Sequence, residues 1–497
     1  MWVCVCGPAH SRRTPASPST YRMENIMTLV AGVDSSTQSC KVVVRDLAGN
    51  IVREGRAPHP PGTAVDPALW WNAMLSAVQA AGGLMDVEAI SVGAQQHGMV
   101  AMDERGNVLR DALMWNDTSS APAVVALNDE LGADEWVRRT GLPLAVSFTV
   151  TKLRWLRDNE PDNAAEAAAV ILPHDYLTWR LKGGEPGNLN MDDLTTDRSD
   201  ASGTAYWSGE TEDYCHDLVE VALGHRVHLP RVLGPRESAG VTAEGLPGIP
   251  AGIPIGVGGG DNACAALALG LEIGDAVISM GTSGTVYART DRPVHDFSGV
   301  VSSYADASGA HLPLSATLNA ARDVDVVARL LGRDHGEIAY LASVASPGCD
   351  GLTLLPYFEG ERTPNLPDAR ASLYGMNIAN TTPANLARAA VEGMLCSQVV
   401  MLNATIDLGV PVERVLIIGG AARSAAVRAI LPQIIDKPIF APEPGEYVAQ
   451  GAAMQAVAAL TGDFPDWEQC GDTIESAEQH PEIMGQHLEV RQRIYGV

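Results

Sequence analysis

Lysine is scarce in this 497-residue chain: four (Lys41, Lys152, Lys182, Lys437) stand against thirty arginines. Acidic residues outnumber basic ones 60 to 34, a formal net charge of −26. Such a surface repels phosphate backbones and anionic headgroups, which excludes nucleic acid and membrane as expected partners. Any nucleotide must then be drawn in by local groups and Mg²⁺, not by the overall field. No apolar run reaches the roughly 18–20 residues of a membrane span. The eight cysteines form no C-x-x-C pair and read as free thiols in a reducing, cytoplasmic setting. No G-x-x-x-x-G-K-[ST] occurs, so a P-loop is excluded. The nearest approach to a dinucleotide turn, Gly256-x-Gly258, meets Asp261 where the last glycine of G-x-G-x-x-G belongs. The length is too great for one core and predicts two large domains.

What is present centres on Gly252–Ala288. The apolar run Ile253–Val257 predicts a short buried strand. Gly258-Gly259-Gly260 and Asp261-Asn262 follow, then an Ala/Leu-rich helix. A carboxylate thus sits where a strand ends and a helix begins, with small residues that let a ligand approach. A second strand, Ala276–Met280, enters the turn Gly281-Thr282-Ser283-Gly284, which offers hydroxyls and free N–H groups to a phosphate. A base and a phosphate loop joined by one helix is the layout of a phosphoryl-transfer site between two lobes. Asp261 at a helix start is expected to stay ionised, because the helix dipole favours the anion.

Residues 1–26 are rich in Pro, Ser and Arg and read as no part of the fold, with Met27 the expected natural start. Residues 27–268 are expected to form one lobe and 269–497 the other. Leu29–Val33 predicts a strand leading into the hydroxyl-rich stretch Asp34–Lys41, then a strand over Val42–Arg45. This repeats the plan around Gly281–Gly284 and points to a duplicated domain that clasps phosphates between its copies. Asp66-Pro67 predicts a helix start, Asp as N-cap and Pro at N1. The strand Ala89–Val92 runs into Gln95-Gln96-His97-Gly98, where amides and an imidazole can take hydroxyls. Trp115-Asn116-Asp117 suits a sugar, the ring over its C–H face; the Trp equally suits a core. Ser147–Asn159 predicts an amphipathic helix, and Ile171–Tyr176 a strand end carrying His174 and Asp175. Residues 183–215 read as irregular surface. Strand Arg414–Ile418 ends in Gly419-Gly420, over which a nucleoside can lie because nothing protrudes. The small residues of Gly445–Ala459 predict a closely packed helix.

Two long patterns tie these pieces together: Ser147-x-Thr149-x-x-Lys152-Leu153-x-Trp155-Leu156-x-Asp158-Asn159, and Ala371-x-Leu373-x-Gly375-Met376 followed, eight residues on, by Asn385-Leu386-x-x-Ala389-Ala390-Val391-Glu392. With GGGDN, MGTSG, GERTP and GGAARS in order, the chain from Leu29 to about Leu460 resembles the FGGY family of carbohydrate kinases, and within it those acting on D-xylulose. The resemblance implies an α/β fold of the duplicated actin/hexokinase (ribonuclease H-like) type, two lobes around a central cleft. It implies ATP and Mg²⁺ as cofactors, transfer of phosphate to D-xylulose to give D-xylulose 5-phosphate, and a possible homodimer. Asp261 matches the catalytic base, and Asp34 the acid that positions Mg²⁺ through water. Gln96, His97, Asn262 and Asp261 itself, with Trp115 and Asp117, match sugar contacts. Thr37, Gln38, Ser39, Gly281, Thr282, Asn319, Gly420 and Ser424 match the ATP side. Other ketoses, D-ribulose and gluconate stay open as substrates, as does a non-catalytic actin-like sensor of nucleotide or sugar. Glycerol is disfavoured, since glycerol kinases carry Arg-Glu where Gln96-His97 stand. Two positions depart from the family pattern: Ser36 replaces a Gly, and Ser119 an Arg, for which either Ser120 or a water substitutes or the substrate preference has moved.

Overall fold

Alternating burial and short turn signals resolve into two seven-stranded sheets. The computed structural model describes residues 27–497, so the expectation for residues 1–26 lies outside the described residues. The first sheet contains β1 (Leu29–Ser35), β2 (Ser39–Asp46), β3 (Ile51–Pro58), β4 (Val87–Ala94), β5 (Ser238–Val241), β6 (Pro254–Gly256) and β7 (Gly259–Gly260). The second contains β8 (Gly274–Met280), β9 (Gly284–Ala288), β10 (Ser302–Ala305), β11 (His311–Thr317), β12 (Val412–Ile418), β13 (Ile439–Pro442) and β14 (Gly471–Ile474).

The two sheets share one plan. In the first, β1, β2 and β3 form an antiparallel meander, and β4 and β6 extend it in parallel from β1. In the second, β8, β9 and β11 form the meander, and β12 and β13 extend it in parallel from β8. This is the duplicated actin/hexokinase-type fold. Because the inner strands are parallel, their carboxyl ends share one edge, where the loops that bind ligands gather. Register places Ser35 beside Ala94, and Ala94 beside Gly260, so the residues after each strand are neighbours.

The helices that matter to the site are α1 (Pro67–Ala80), α2 (Thr149–Asn159), α3 (Pro173–Leu181), α4 (Arg198–Ser202), α5 (Asp261–Ala268), α6 (Ala321–Leu331), α7 (Pro383–Asp407), α8 (Ala425–Ile434) and α9 (Tyr447–Thr461). The Asp66 carboxylate caps α1 by accepting from the Ala68 N–H at 2.9 Å, and Trp70, Met74 and Val78 are buried on its sheet-facing side. Helix α7 is long and apolar enough by composition to cross a membrane, but 78% of its most apolar window is buried inside the protein. Helix α9 lies across the back of β1 and β4 and packs on α5. Gly451 permits that approach, since a Cβ there would collide with the Cys264 carbonyl. The last long apolar helix of the chain therefore covers the first sheet, and the chain crosses between the halves at α5 and α9.

Two local expectations change. His174 and Asp175 lie in the first turn of α3, after the short strand Ala169–Ile171, rather than at a strand end. Residues 183–215 are not all irregular surface. Within them Thr195–Asp197 is a strand, α4 follows, and Leu194–Ser208 is buried throughout. Asp197, Ser199, Ser202 and Thr204 bond to backbone groups here, so composition alone misplaced the segment at the surface.

Candidate active site

Asp261 stands at the first position of α5, directly after β7. Its Oδ1 accepts from the Asn262 N–H at 2.7 Å and from Asn262 Nδ2 at 2.9 Å, which leaves Oδ2 open. Burial pushes its pKa up to about 7, and the nearby Asp34 and Asp200 charges add to the rise. The expected dominance of the helix dipole is thereby overturned. An eight-residue helix offers a partial charge, and desolvation beside two carboxylates outweighs it.

Gln96 and His97 follow β4 on the same edge. Gln96 Nε2 donates to the Ser199 carbonyl at 3.1 Å, and His97 Nδ1 lies 2.8 Å from the Gly203 carbonyl. Burial, helped by the Lys152 and Arg362 charges, holds the His97 pKa down at about 3. The ring is thus neutral, Nδ1 carries the proton toward Gly203, and Nε2 is an acceptor. Phe148 and Tyr304 flank the imidazole, with ring centroids 5.2 and 6.0 Å away. His97 holds a left-handed φ of 70°, uncommon for a non-glycine residue.

These groups line one cavity of about 310 Å³ with Asn262, Trp115, Ser147 and the second sheet's Gly281 and Gly284. The Trp115 indole donates to Thr37 Oγ1 at 2.9 Å, joining the sugar-side loop to the β1–β2 turn. A second cavity, of about 920 Å³, is lined by Gly420 and Ser424 after β12, with His335, Tyr340 and Ala321. Gly420 has open space where a Cβ would stand, as the sequence led one to expect. The two cavities meet the carboxyl ends of the two sheets.

The remaining candidates occupy other positions. Asp34 is 3% exposed and is not among the residues lining the 310 Å³ cavity. It accepts from the Ser36 hydroxyl and lies 3.7 Å from Lys41, which is paired in turn with Glu446. Ser36 thus takes an ordinary backbone and adds a hydrogen bond that glycine could not make. Gln38 is exposed, and Ser39 Oγ accepts from Arg56 Nε at 3.1 Å. The Asp117 carboxylate takes Thr63 Oγ1 at 2.8 Å and the Ser119 N–H at 2.9 Å, outside the cavity lining. Ser120 does not take over the role of the missing Arg. It is fully buried and bonds to the Val146 carbonyl and Thr151. Thr282 is exposed at the turn tip, and its carbonyl accepts from Arg322 Nε at 3.3 Å. Asn319 is fully buried; its Nδ2 donates to the Gly360 carbonyl at 2.7 Å and to Glu361 at 2.9 Å.

Beneath the site lies a group to which sequence reasoning gave no role. His174 is buried between Asp200, which faces Nδ1, and Asp175, 3.3 Å from Nε2. Burial would lower its pKa, but the two carboxylates hold it up at about 10. Asp197 caps α4 by accepting from the Ser199 and Asp200 N–H groups at 2.7 and 2.9 Å. Ser199 Oγ then accepts the Gly260 N–H at 3.0 Å. One five-residue helix and the glycine that ends it therefore hold Gln96, His97 and the residue before Asp261. His174, Asp175 and Asp200 bring potential ligand atoms within 4.8 Å of one another, and the imidazolium serves the two carboxylates as their counter-charge. The first signature pattern has a structural task too. Lys152 is fully buried and donates to the Val146 and Ser147 carbonyls at 3.1 and 2.5 Å, which presents Ser147 to the cavity. In the second pattern, Glu392 accepts from Arg388 Nε at 2.6 Å within α7.

Comparison with known proteins bears on this geometry. Residues 29–268 match the profile of the FGGY family of carbohydrate kinases, N-terminal domain, and residues 276–460 that of its C-terminal domain. The chain is 45% identical over 446 residues to a xylulose kinase of Streptomyces coelicolor, covering 88% of this chain and 89% of that one. It is 42% identical over 476 residues to a xylulose kinase of Streptomyces rubiginosus, covering 92% and 94%. The crystal structure of xylulose kinase from Bifidobacterium adolescentis superposes with a TM-score of 0.88 at 44% identity, over 94% of this chain and 100% of that one.

Proposed function

The chain belongs to the FGGY family of carbohydrate kinases, and from that premise we propose that it transfers the γ-phosphoryl group of ATP to D-xylulose, giving D-xylulose 5-phosphate. The observation that carries this is the single cavity in which Asp261 meets Gln96 and His97 from the first sheet and the Gly281–Gly284 turn from the second.

The sugar sits against Gln96, His97 and Trp115, with the hydroxyl to be phosphorylated at Asp261 Oδ2. His97 Nε2 accepts a hydrogen bond from a second hydroxyl, which orients the chain of the sugar. Asn262 fixes the Asp261 carboxylate through Oδ1, so one oxygen is aimed and one is free. Asp261 takes the proton of the attacking hydroxyl. Phosphoryl transfer has a loose transition state, so a base of modest strength in the right place suffices. The adenosine lies in the larger cavity over Gly420 and Ser424, and its phosphates run toward Gly281.

Asp34 and Asp261 offer hard carboxylate oxygens of the kind that suit Mg²⁺. Both oxygens of Asp34 are engaged, one by Ser36 and one beside Lys41, so Asp34 suits a contact through water rather than direct ligation. The ion when bound would neutralise charge on the phosphates. Lobe closure would expel water that otherwise competes for the γ-phosphoryl group.

A coupled ADP-release assay over D-xylulose, D-ribulose, D-gluconate, glycerol and no sugar tests the substrate. The highest kcat/KM is expected for D-xylulose. A clear maximum at another sugar would overturn the substrate, and ATP binding without turnover on any sugar would favour a sensor. A second expectation concerns pH. Asp261 must be deprotonated to act, and burial beside Asp34 and Asp200 raises its pKa to about 7. The kcat/KM for the sugar should therefore climb with pH up to about 7 and then level. An acid limb near pH 4, the ordinary carboxylate range, would remove this cause.

A further inference from the structure

Arg362 is the one cationic side chain among the residues lining the 310 Å³ cavity. It comes from the loop after the strand Thr353–Leu355, on the second half of the chain. The loop is pinned by its neighbour. Glu361 is 1% exposed, and its carboxylate takes Thr317 Oγ1 at 2.6 Å, the Leu318 N–H at 3.0 Å and Asn319 Nδ2 at 2.9 Å. It also takes the Arg362 N–H itself at 2.6 Å. Thr363 Oγ1 adds a bond to the Ala316 carbonyl at 2.9 Å.

Glu361 is thus spent on fixing the backbone, and no carboxylate among the described residues pairs with the Arg362 guanidinium. That is unusual in a chain with 60 acidic residues and 34 basic ones, where most buried or half-buried arginines find a partner. A guanidinium that lines the cavity and has no carboxylate partner suits a ligand rich in oxygens. The ligand's identity follows from the side of the cleft. The Arg362 charge acts on His97, and it pulls down the Tyr304 phenol that burial raises. Both rings belong to the sugar side, and Arg362 is not among the residues of the nucleoside cavity.

We propose that Arg362 binds the sugar, donating from the second half of the chain to oxygens of the ketose other than the one phosphorylated. Gln96 and His97 hold the sugar from the first half of the chain and Arg362 holds it from the second. The sugar then bridges the cleft, and a polyol too short to reach both sides loses one of its contacts. This rests on the kinase reading above, and the experiment separates the two.

Wild type, Arg362→Gln and Arg362→Lys are compared for kcat, sugar KM and ATP KM, with D-xylulose binding measured by calorimetry without ATP. If another sugar proves the best wild-type substrate, the comparison uses that sugar, so the substrate and the role of Arg362 fail separately. Loss of a charge-assisted hydrogen bond should raise the sugar KM and Kd of Arg362→Gln roughly 10- to 100-fold. The ATP KM should stay within about twofold, and Arg362→Lys should fall between the two, because lysine keeps the charge and loses the fork. An unchanged sugar Kd overturns the proposal. So does a rise confined to the ATP KM, which would make Arg362 a phosphate contact. Thermal midpoints of all three proteins confirm that folding is intact; a Gln variant that unfolds is replaced by the Lys variant, whose sugar Kd must then exceed that of wild type.

Discussion

Replacing Asp261 by asparagine will lower turnover of D-xylulose by roughly 10²–10⁴-fold while sugar binding persists. The amide keeps the size of the side chain but cannot accept the hydroxyl proton. Calorimetric titration with D-xylulose should give a Kd close to that of wild type, since Gln96, His97 and Trp115 are untouched. The stability of the variant should not fall, and a small rise is physically reasonable. Asp261 is a half-buried carboxylate beside Asp34 and Asp200, and removing a charge from that group relieves repulsion. Turnover within tenfold of wild type would remove Asp261 from the role of base. Loss of both turnover and binding would mean that the carboxylate serves the sugar rather than the proton.

The second large effect lies away from the reacting atoms. His174→Leu should destabilise the first half of the chain by about 3–5 kcal/mol, the usual loss when one partner of a buried ion pair is removed. The imidazolium is the only positive group within the His174–Asp175–Asp200 cluster, and Leu would strand two buried carboxylates. Adding Asp200→Asn to the Leu variant should recover part of the loss, because the stranded charge is gone. Denaturant midpoints of wild type, both single variants and the double variant measure this. Equal midpoints for wild type and His174→Leu would show that the cluster contributes no net stability. The sign with pH follows from the raised His174 pKa. Its contribution is fully present below the unfolded value of 6.5 and fades as pH rises toward about 10, so the wild type should lose stability over that window and the Leu variant should lack that limb. Because α4 and its C-terminal cap Gly203 carry the acceptors for Gln96 and His97, the Leu variant should also bind sugar more weakly.

Much of the site was legible in linear sequence. Asp261 after three glycines, Gly281 after an apolar strand and Gly420 after another are strand-end positions, and strand ends follow from local hydrophobic runs and glycine placement. The duplication was legible for the same reason, since both meanders repeat one strand–turn–strand pattern. The Leu194–Ser208 segment was not. Its Thr, Ser and Asp residues look like surface because a sequence shows each polar group without its partner, and here a partner stands as far as 103 residues away, as with Ser202 and Ala305. Asn319 escaped in the opposite way: next to the phosphate turn in the fold, it is used up in holding the Glu361 loop. Arg362 was visible inside GERTP, but nothing in that string separates a guanidinium paired with its neighbour from one turned to the cleft.

The order of strands, the turns at their ends and the identity of the family were determined by sequence alone, because each depends on residues close together in the chain or on patterns long enough to be specific. Charge state and pairing were decided only by tertiary structure. Asp261 near pKa 7, His174 held protonated and His97 held neutral all depend on how much water is excluded and which charges stand nearby. Those quantities are set by residues distant in sequence that meet only in the folded protein, and electrostatic energy in a dry interior depends on distance and dielectric rather than on position along the chain.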